Sequence, residues 1–145
     1  MKPGLVPVAA VEIGHAARFP LCPLMMRGRW IAPVLWALLI ETLTSWPNVP
    51  SASTGHSFDK VVHFGLYAVF AFLVVRAAQP AVPGWRVMGV VLVVLCVWAA
   101  LDEWHQTWIP GRGAEVADWA ADATGVVVGL LIRRLRSQRV MMGVA

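Results

Sequence analysis

The sequence predicts an all-α fold, an integral membrane bundle of four transmembrane helices with both termini in the cytoplasm. Three observations support this prediction. Of the 145 residues, 59% are hydrophobic and only 14% are charged, whereas about 25% of the residues of a soluble domain are charged. Four long apolar stretches are separated by segments that contain proline and glycine. Eight arginines flank these stretches on one predicted side of the membrane.

Prolines mark the ends of the first two helices. Helix 1 is expected over about residues 30–46, and an irregular loop over residues 47–57 follows it, because this loop contains prolines, serines and a glycine. Helix 2 is expected over about residues 59–79. Residues 80–84 then form a short turn with two prolines and a glycine.

The last two helices are separated by a second break. Helix 3 is expected from residue 85 or 86 to residue 108, and Pro110 and Gly111 stop it. Helix 4 is expected to start near Glu115 and to end within residues 133–139. Each helix has about 17–23 residues, enough to cross a hydrocarbon core of roughly 30 Å at about 1.5 Å per residue.

The domain organisation is simple. Residues 1–28 are expected to be a flexible or artefactual N-terminal extension, because prolines and glycines interrupt them and Met25 or Met26 offers an alternative translation start. Residues 29–136 form the transmembrane domain, and residues 137–145 are expected to be a disordered tail.

The net charge of +4 indicates membrane topology rather than nucleic-acid binding, which we do not expect. The flanking arginines are Arg27, Arg29, Arg76, Arg86, Arg133, Arg134, Arg136 and Arg139. The positive-inside rule places them on the cytoplasmic side of the plasma membrane. Six tryptophans are expected to form an aromatic belt at the two membrane interfaces: Trp46, Trp104, Trp108 and Trp119 at the outer one, and Trp30 and Trp85 at the inner one.

Most other ionisable residues fall at the opposite, extracytoplasmic ends of the helices. Such groups are costly at membrane depth unless they are paired or solvated, so we predict an outward-facing pocket there. In helix 4, Asp118, Asp122, Gly125 and Gly129 share one face. The two glycines let a neighbouring helix approach closely, which would hold both carboxylates inside the bundle.

The predicted roles follow from side-chain chemistry. Carboxylates and imidazoles serve general acid–base catalysis, guanidinium binds phosphate in a planar fork, and carboxylates bind divalent ions. The candidate catalytic residues are Asp102, Glu103, His63 and Gln106. The candidate substrate-binding residues are Arg112, Lys60, Asp118 and Asp122. The candidate ligands for a divalent metal ion are Asp59, His63, Asp102 and Asp118. The alternative is a structural network of ion pairs, which would also include Glu41.

These residues form a pattern that resembles the VanZ-like family of small bacterial membrane proteins. The pattern is Asp59-Lys60-x-x-His63, Asp102-Glu103-x-His105-Gln106, Pro110-Gly111-Arg112 and Asp118-x-x-x-Asp122-x-x-Gly125-x-x-x-Gly129. The resemblance covers helices 2 to 4. It departs from the family at Asp122, where the family often has Asn. The resemblance implies an association with resistance to the glycopeptide teicoplanin, and it does not imply a reaction.

Three functions remain open from the sequence. The first is an enzyme or binding protein that acts on an envelope lipid or a lipid-linked cell-wall molecule. The second is a transporter coupled to a cation or proton, or a lipid flippase, although the inner halves of helices 2 and 3 offer no polar relay. The third is a non-catalytic module that binds membrane lipids or a protein.

Overall fold

The computed structural model describes residues 28–47, 56–78 and 81–143, and the helices in these residues are joined by turns and irregular segments, without a β-strand. It contains four helices, which are α1 (Ile31–Thr44), α2 (His56–Ala78), α3 (Trp85–Gln106) and α4 (Val116–Met141). Their number and order confirm the all-α prediction. Helices α2 and α4 make the most extensive contact, α3 packs against both, and α1 lies against α2 and α3.

Successive helices are antiparallel, so the helix ends form two groups at opposite ends of the bundle. At one end, Thr44 at the end of α1 contacts Asp102 near the end of α3, and Lys60 near the start of α2 contacts Asp118 in α4. Because the carboxylates gather here, we call it the acidic end.

At the other end, which we call the arginine end, Arg29 donates a hydrogen bond to the carbonyl of Ala77 at the end of α2. Arg134 of α4 donates to the carbonyl of Pro83, just before α3. The guanidinium of Arg134 also lies 4.1 Å from the ring centroid of Trp85.

The C-terminal end of α4 corrects the predicted tail. Residues 137–145 were expected to be disordered, but α4 continues to Met141. The reason is that no proline or glycine occurs between Gly129 and Met142. Gly143 then adopts a φ of 70°, a left-handed conformation that ends helices. The predicted N-terminal extension lies outside the described residues, apart from Gly28.

Helices α2 and α4 approach closely at the two glycines of the predicted stripe. Gly125 and Gly129 are buried, together with Asp118 and Asp122. A Cβ atom at Gly125 would collide with the backbone carbonyl of Phe64 in α2, and one at Gly129 would collide with that of Ala68. The predicted inward orientation of this face is therefore confirmed, and the neighbouring helix is α2.

The middle of the bundle is an apolar core with an apolar outer surface. The buried core residues are Ile40, Tyr67, Phe70, Ala71, Val75, Met88, Val91, Leu95, Ala99, Val126 and Leu130. On the outer face of α3, Val90, Val93, Val97 and Leu101 are each more than half exposed. An exposed apolar stripe of this kind requires an apolar environment or a partner.

Two helical segments are long and apolar enough to cross a membrane, Phe58–Ala78 and Trp85–Gln106. Helix α1 is apolar but has only 14 residues, which is about 21 Å of helix against a hydrocarbon core of roughly 30 Å. Helix α4 has 26 residues but carries charged residues near both of its ends. Membrane crossing by α1 and α4 therefore stays a prediction.

Candidate functional site

The acidic end brings together polar side chains from all four helices and the α3–α4 turn. We call the following residues the polar cluster: Thr44, Lys60, His63, Tyr67, Asp102, Glu103, Gln106, Arg112, Glu115, Asp118 and Asp122. All four predicted catalytic residues and all four predicted substrate-binding residues belong to it. Asp122 is fully buried and Asp102 is 2% exposed, so these carboxylates are removed from water and need partners.

His63 of α2 and Asp122 of α4 form the most enclosed pair. Nδ1 of His63 lies 3.1 Å from Oδ1 of Asp122, and a proton on one of the two side chains is required for this hydrogen bond. Oε1 of Glu103 lies 4.0 Å from the same Nδ1. The second oxygen of Asp122, Oδ2, is buried and has no hydrogen-bond partner among the described residues. Oδ2 of Asp122 is therefore a hydrogen-bond acceptor that is available next to the His63–Asp122 hydrogen bond.

Glu103 is held from two directions. Its Oε2 accepts a hydrogen bond from the backbone N–H of Glu115 at 2.9 Å. Its Oε1 accepts one from the side-chain amide of Gln106 at 3.4 Å, three residues along the same helix. These bonds fix the carboxyl group of Glu103 in one orientation.

The turn after α3 returns Arg112 to the cluster. Gly111 has a φ of 82°, which favours glycine, and it reverses the chain direction there. Nη1 of Arg112 then donates to Oε1 of Gln106 at 2.9 Å. Arg112 is thereby connected to Glu103 through Gln106. The buried Nε atom of Arg112 has no hydrogen-bond partner among the described residues.

Asp102, next to Glu103 in α3, contacts both α1 and α2. The hydroxyl of Thr44 donates to its Oδ1 at 2.8 Å, and the hydroxyl of Tyr67 donates to its Oδ2 at 3.3 Å. Both oxygens of Asp102 are therefore occupied by protein donors. Thr44 was not predicted as part of the site. Its position near the outer end of helix 1, close to Glu41, could have indicated it.

Lys60 forms two ion pairs within the protein. Its Nζ lies 2.7 Å from Oδ1 of Asp118 and 3.0 Å from Oε2 of Glu115. Glu115 was predicted only as the start of a helix. Its ion pair with Lys60 could not be predicted without the tertiary structure. Because two carboxylates already neutralise Lys60, Arg112 is the better placed of the two predicted cations to meet an anionic ligand.

The predicted metal ligands separate into two groups. Asp59, His63 and Asp118 can each place one ligand atom within 4.8 Å of the others. Asp102, the fourth predicted ligand, instead groups with Glu41 and His105.

A third set also has metal-ligand spacing, and it consists of His63, Glu103 and Asp122. All three of its members are buried. This set is the most enclosed of the three, and its combination of residues was not predicted from the sequence.

A small cavity gives access to the cluster from the side of α3 and α4. It has a volume of about 200 Å³. Its lining residues are Ala100, Glu103, Ala114, Glu115, Val116 and Trp119. Glu103 therefore reaches both the buried His63 and an opening in the surface.

Comparisons with known proteins identify the family. The model of the VanZ/LLP1 family matches residues 11–137, which is most of the chain. Neither a curated protein nor a solved structure matches the chain significantly. The family match and the two apolar helices together indicate a membrane protein. The match also confirms the resemblance that the four motifs indicated, and the chain belongs to the VanZ/LLP1 family.

Proposed function

We propose that this protein binds or modifies an envelope lipid or a lipid-linked cell-wall molecule at its acidic end. In this proposal it is a multi-pass protein of the plasma membrane with four transmembrane helices. The arginine end faces the cytoplasm, as the positive-inside rule favours, so both termini are cytoplasmic and the polar cluster faces outward. A lipid or lipid-linked molecule in the outer leaflet would then reach the cluster from the membrane.

The position of Glu103 is the observation that supports chemistry at this site. Glu103 lines the cavity, its carboxyl group is fixed by two hydrogen bonds, and His63 lies 4.0 Å from it. A carboxyl group with this access can take a proton from a ligand or give one to it, with the His63–Asp122 pair as the nearest proton reservoir. Glu103 is therefore the proposed general acid or base.

A divalent cation fits the charge balance of the cluster. Asp102, Glu103, Glu115, Asp118 and Asp122 face only two permanent cations, since the remaining basic member is a histidine. A phosphate group would be repelled by this excess of acids unless a cation bridged it or Arg112 bound it. Both sets that contain His63 have spacing suitable for such an ion.

Transport is less well supported than binding or catalysis. The buried residues between the acidic end and the arginine end are apolar, and they include Val75, Leu95 and Leu130. A proton or cation pathway through the bundle would need polar groups at this depth. A non-catalytic role that alters access of a glycopeptide to its target remains the alternative consistent with family membership, with teicoplanin susceptibility of expressing cells as its readout.

The chemistry is tested with purified protein, polyprenyl phosphates and phospholipids, with and without Mg²⁺ or Mn²⁺. Mass spectrometry of the lipids would detect a modified product. Glu103→Gln should slow conversion by about 10²–10⁴-fold, the usual contribution of a general acid or base. The matched control is Thr107→Val, because the exposed Thr107 hydroxyl donates to the Trp104 carbonyl in the last turn of α3 and to no described member of the polar cluster.

Two results would contradict the role proposed for Glu103. Equal conversion by Glu103→Gln and the wild type would remove Glu103 from the reaction. Absence of any product, together with unchanged lipid binding in the variant, would leave a binding role that does not use Glu103.

A further inference from the structure

The arginine end contains a cavity with a volume of about 830 Å³. Four arginines line it, Arg29 before α1, Arg76 of α2, and Arg133 and Arg136 of α4. We call this cavity the basic pocket. It is independent of the proposed function, because it lies at the opposite end of the bundle from the polar cluster.

The carboxylates of the described residues are far from the basic pocket. They belong to Glu41, Asp59, Asp102, Glu103, Glu115, Asp118 and Asp122, which all lie at the acidic end. Along α2, Arg76 is about 24 Å from Lys60, at about 1.5 Å per residue. Arg76 and Arg136 form no ion pair with a described residue. The positive charge of the pocket is therefore not balanced by nearby acids of the bundle.

Burial distinguishes one of the four arginines, Arg133, from a simple topology signal. A positive-inside signal needs only charge in the cytoplasmic flank, and exposed arginines provide it. Arg133, in contrast, is only 8% exposed, and its Nη2 donates to the Ala81 carbonyl at 3.5 Å. Arg76 and Arg133 line the same cavity, so their like charges repel each other. An anion between them would relieve this repulsion.

The walls of the pocket indicate an amphipathic ligand. Pro33, Phe72, Leu73 and Val82 contribute apolar side chains to the same cavity as the guanidinium groups. A small soluble anion would use the arginines and leave this apolar surface without contact. A lipid would place its headgroup phosphate on the arginines and the first carbons of its chains on the apolar wall.

We propose that the basic pocket is a binding site for the phosphate group of an anionic membrane lipid. The guanidinium forks of Arg76 and Arg136 bind the phosphate oxygens, and Arg29 and Arg133 hold the rim of the pocket through their bonds to backbone carbonyls. Basic pockets between transmembrane helices commonly bind anionic headgroups in this way.

The proposal is tested by thermal unfolding of the full chain in neutral detergent during titration with phosphatidylglycerol. Phosphatidylcholine and glycerol 3-phosphate are the parallel arms. A ligand that binds the native state raises the midpoint, so the midpoints give an apparent affinity. The double variant Arg76→Gln and Arg136→Gln should bind phosphatidylglycerol about 100-fold more weakly, at roughly tenfold for each charged hydrogen-bonding group removed.

The matched control is Arg139→Gln, which removes an exposed arginine three residues from Arg136 that does not line the pocket. It should weaken binding by less than about threefold, as expected for surface electrostatics. Arg76 and Arg136 are both exposed, so the unliganded midpoint of the double variant should stay near that of the wild type.

Three results would overturn the proposal. Equal weakening by Arg139→Gln would show general attraction by surface charge, and equal stabilisation by phosphatidylcholine would show binding through the lipid chains alone. Stabilisation by glycerol 3-phosphate as strong as that by phosphatidylglycerol would replace the lipid with a soluble phosphate. None of these results depends on the polar cluster, so they leave the function proposed for the acidic end unchanged.

Discussion

Replacing Gly129 by alanine tests the packing that holds His63 and Asp122 together. The new methyl group would lie 2.9 Å from the carbonyl carbon of Ala68 and 3.1 Å from its Cα, whereas ordinary van der Waals contact begins at 3.4 Å. These atoms are backbone, so no side chain can turn away, and α2 and α4 must separate. Gly129 follows Asp122 by two turns of the same helix, so this separation would also lengthen the His63–Asp122 contact.

The expected cost can be isolated with a control in another helix. Overpacking costs about 1–3 kcal/mol, while replacing a helical glycine by alanine gains up to about 1 kcal/mol. Gly89→Ala in α3 has the same gain without the clash, because no heavy atom of another described helix lies within 4 Å of its new methyl group. The helix-propensity gain cancels between the two variants, which leaves a difference of about 1–3 kcal/mol in the free energy of unfolding.

The assay is a reversible unfolding titration in mixed micelles with both variants and the wild type. Gly129→Ala should be less stable than Gly89→Ala by the amount given above. Equal stability of the two variants would refute the close approach of α2 and α4, and with it the geometry of the polar cluster.

Three further substitutions concern the polar cluster, and each is measured by the same unfolding titration. Asp122→Ala removes the partner of the buried His63 and should cost about 3–5 kcal/mol, as when one member of a buried pair is lost; a cost below about 1 kcal/mol would argue against the pair. Thr44→Val leaves one oxygen of Asp102 without its donor and should cost about 1–3 kcal/mol, whereas a neutral effect would mean that water replaces the hydroxyl. Glu115→Gln removes the exposed member of an ion pair, so we expect a change below about 1 kcal/mol, and a larger loss would show that this pair is shielded from solvent.

The sequence allowed a good prediction of the helices and of one face of α4. The apolar stretches and the prolines between them gave the number and order of the helices. The spacing of Asp118, Asp122, Gly125 and Gly129 predicted an inward face, because helix periodicity is a local property. The end of α4 was predicted too early, within residues 133–139, whereas the helix continues to Met141.

The pairings within the site could not be predicted, because they depend on how the helices are rotated and shifted against each other. Thr44 meets Asp102 only because α1 packs against α3 at that height. The sequence assigned Lys60 to an anionic ligand, while the structure places it between Asp118 and Glu115. Periodicity shows which residues share a face, but it does not show which face of another helix lies opposite.

The central claim is that the polar cluster is a binding site and not only a network that stabilises the bundle. The most direct test is the thermal unfolding midpoint of the purified protein with polyprenyl phosphate and Mn²⁺, compared with Glu103→Gln and Thr107→Val. We expect the ligands to raise the midpoint of the wild type and of Thr107→Val by several degrees, and to have little effect on Glu103→Gln. Two results together would contradict the claim and assign the cluster a structural role. The midpoint of the wild type would stay unchanged with every combination of cation and lipid phosphate, and Glu103→Gln would strongly destabilise the protein without any ligand.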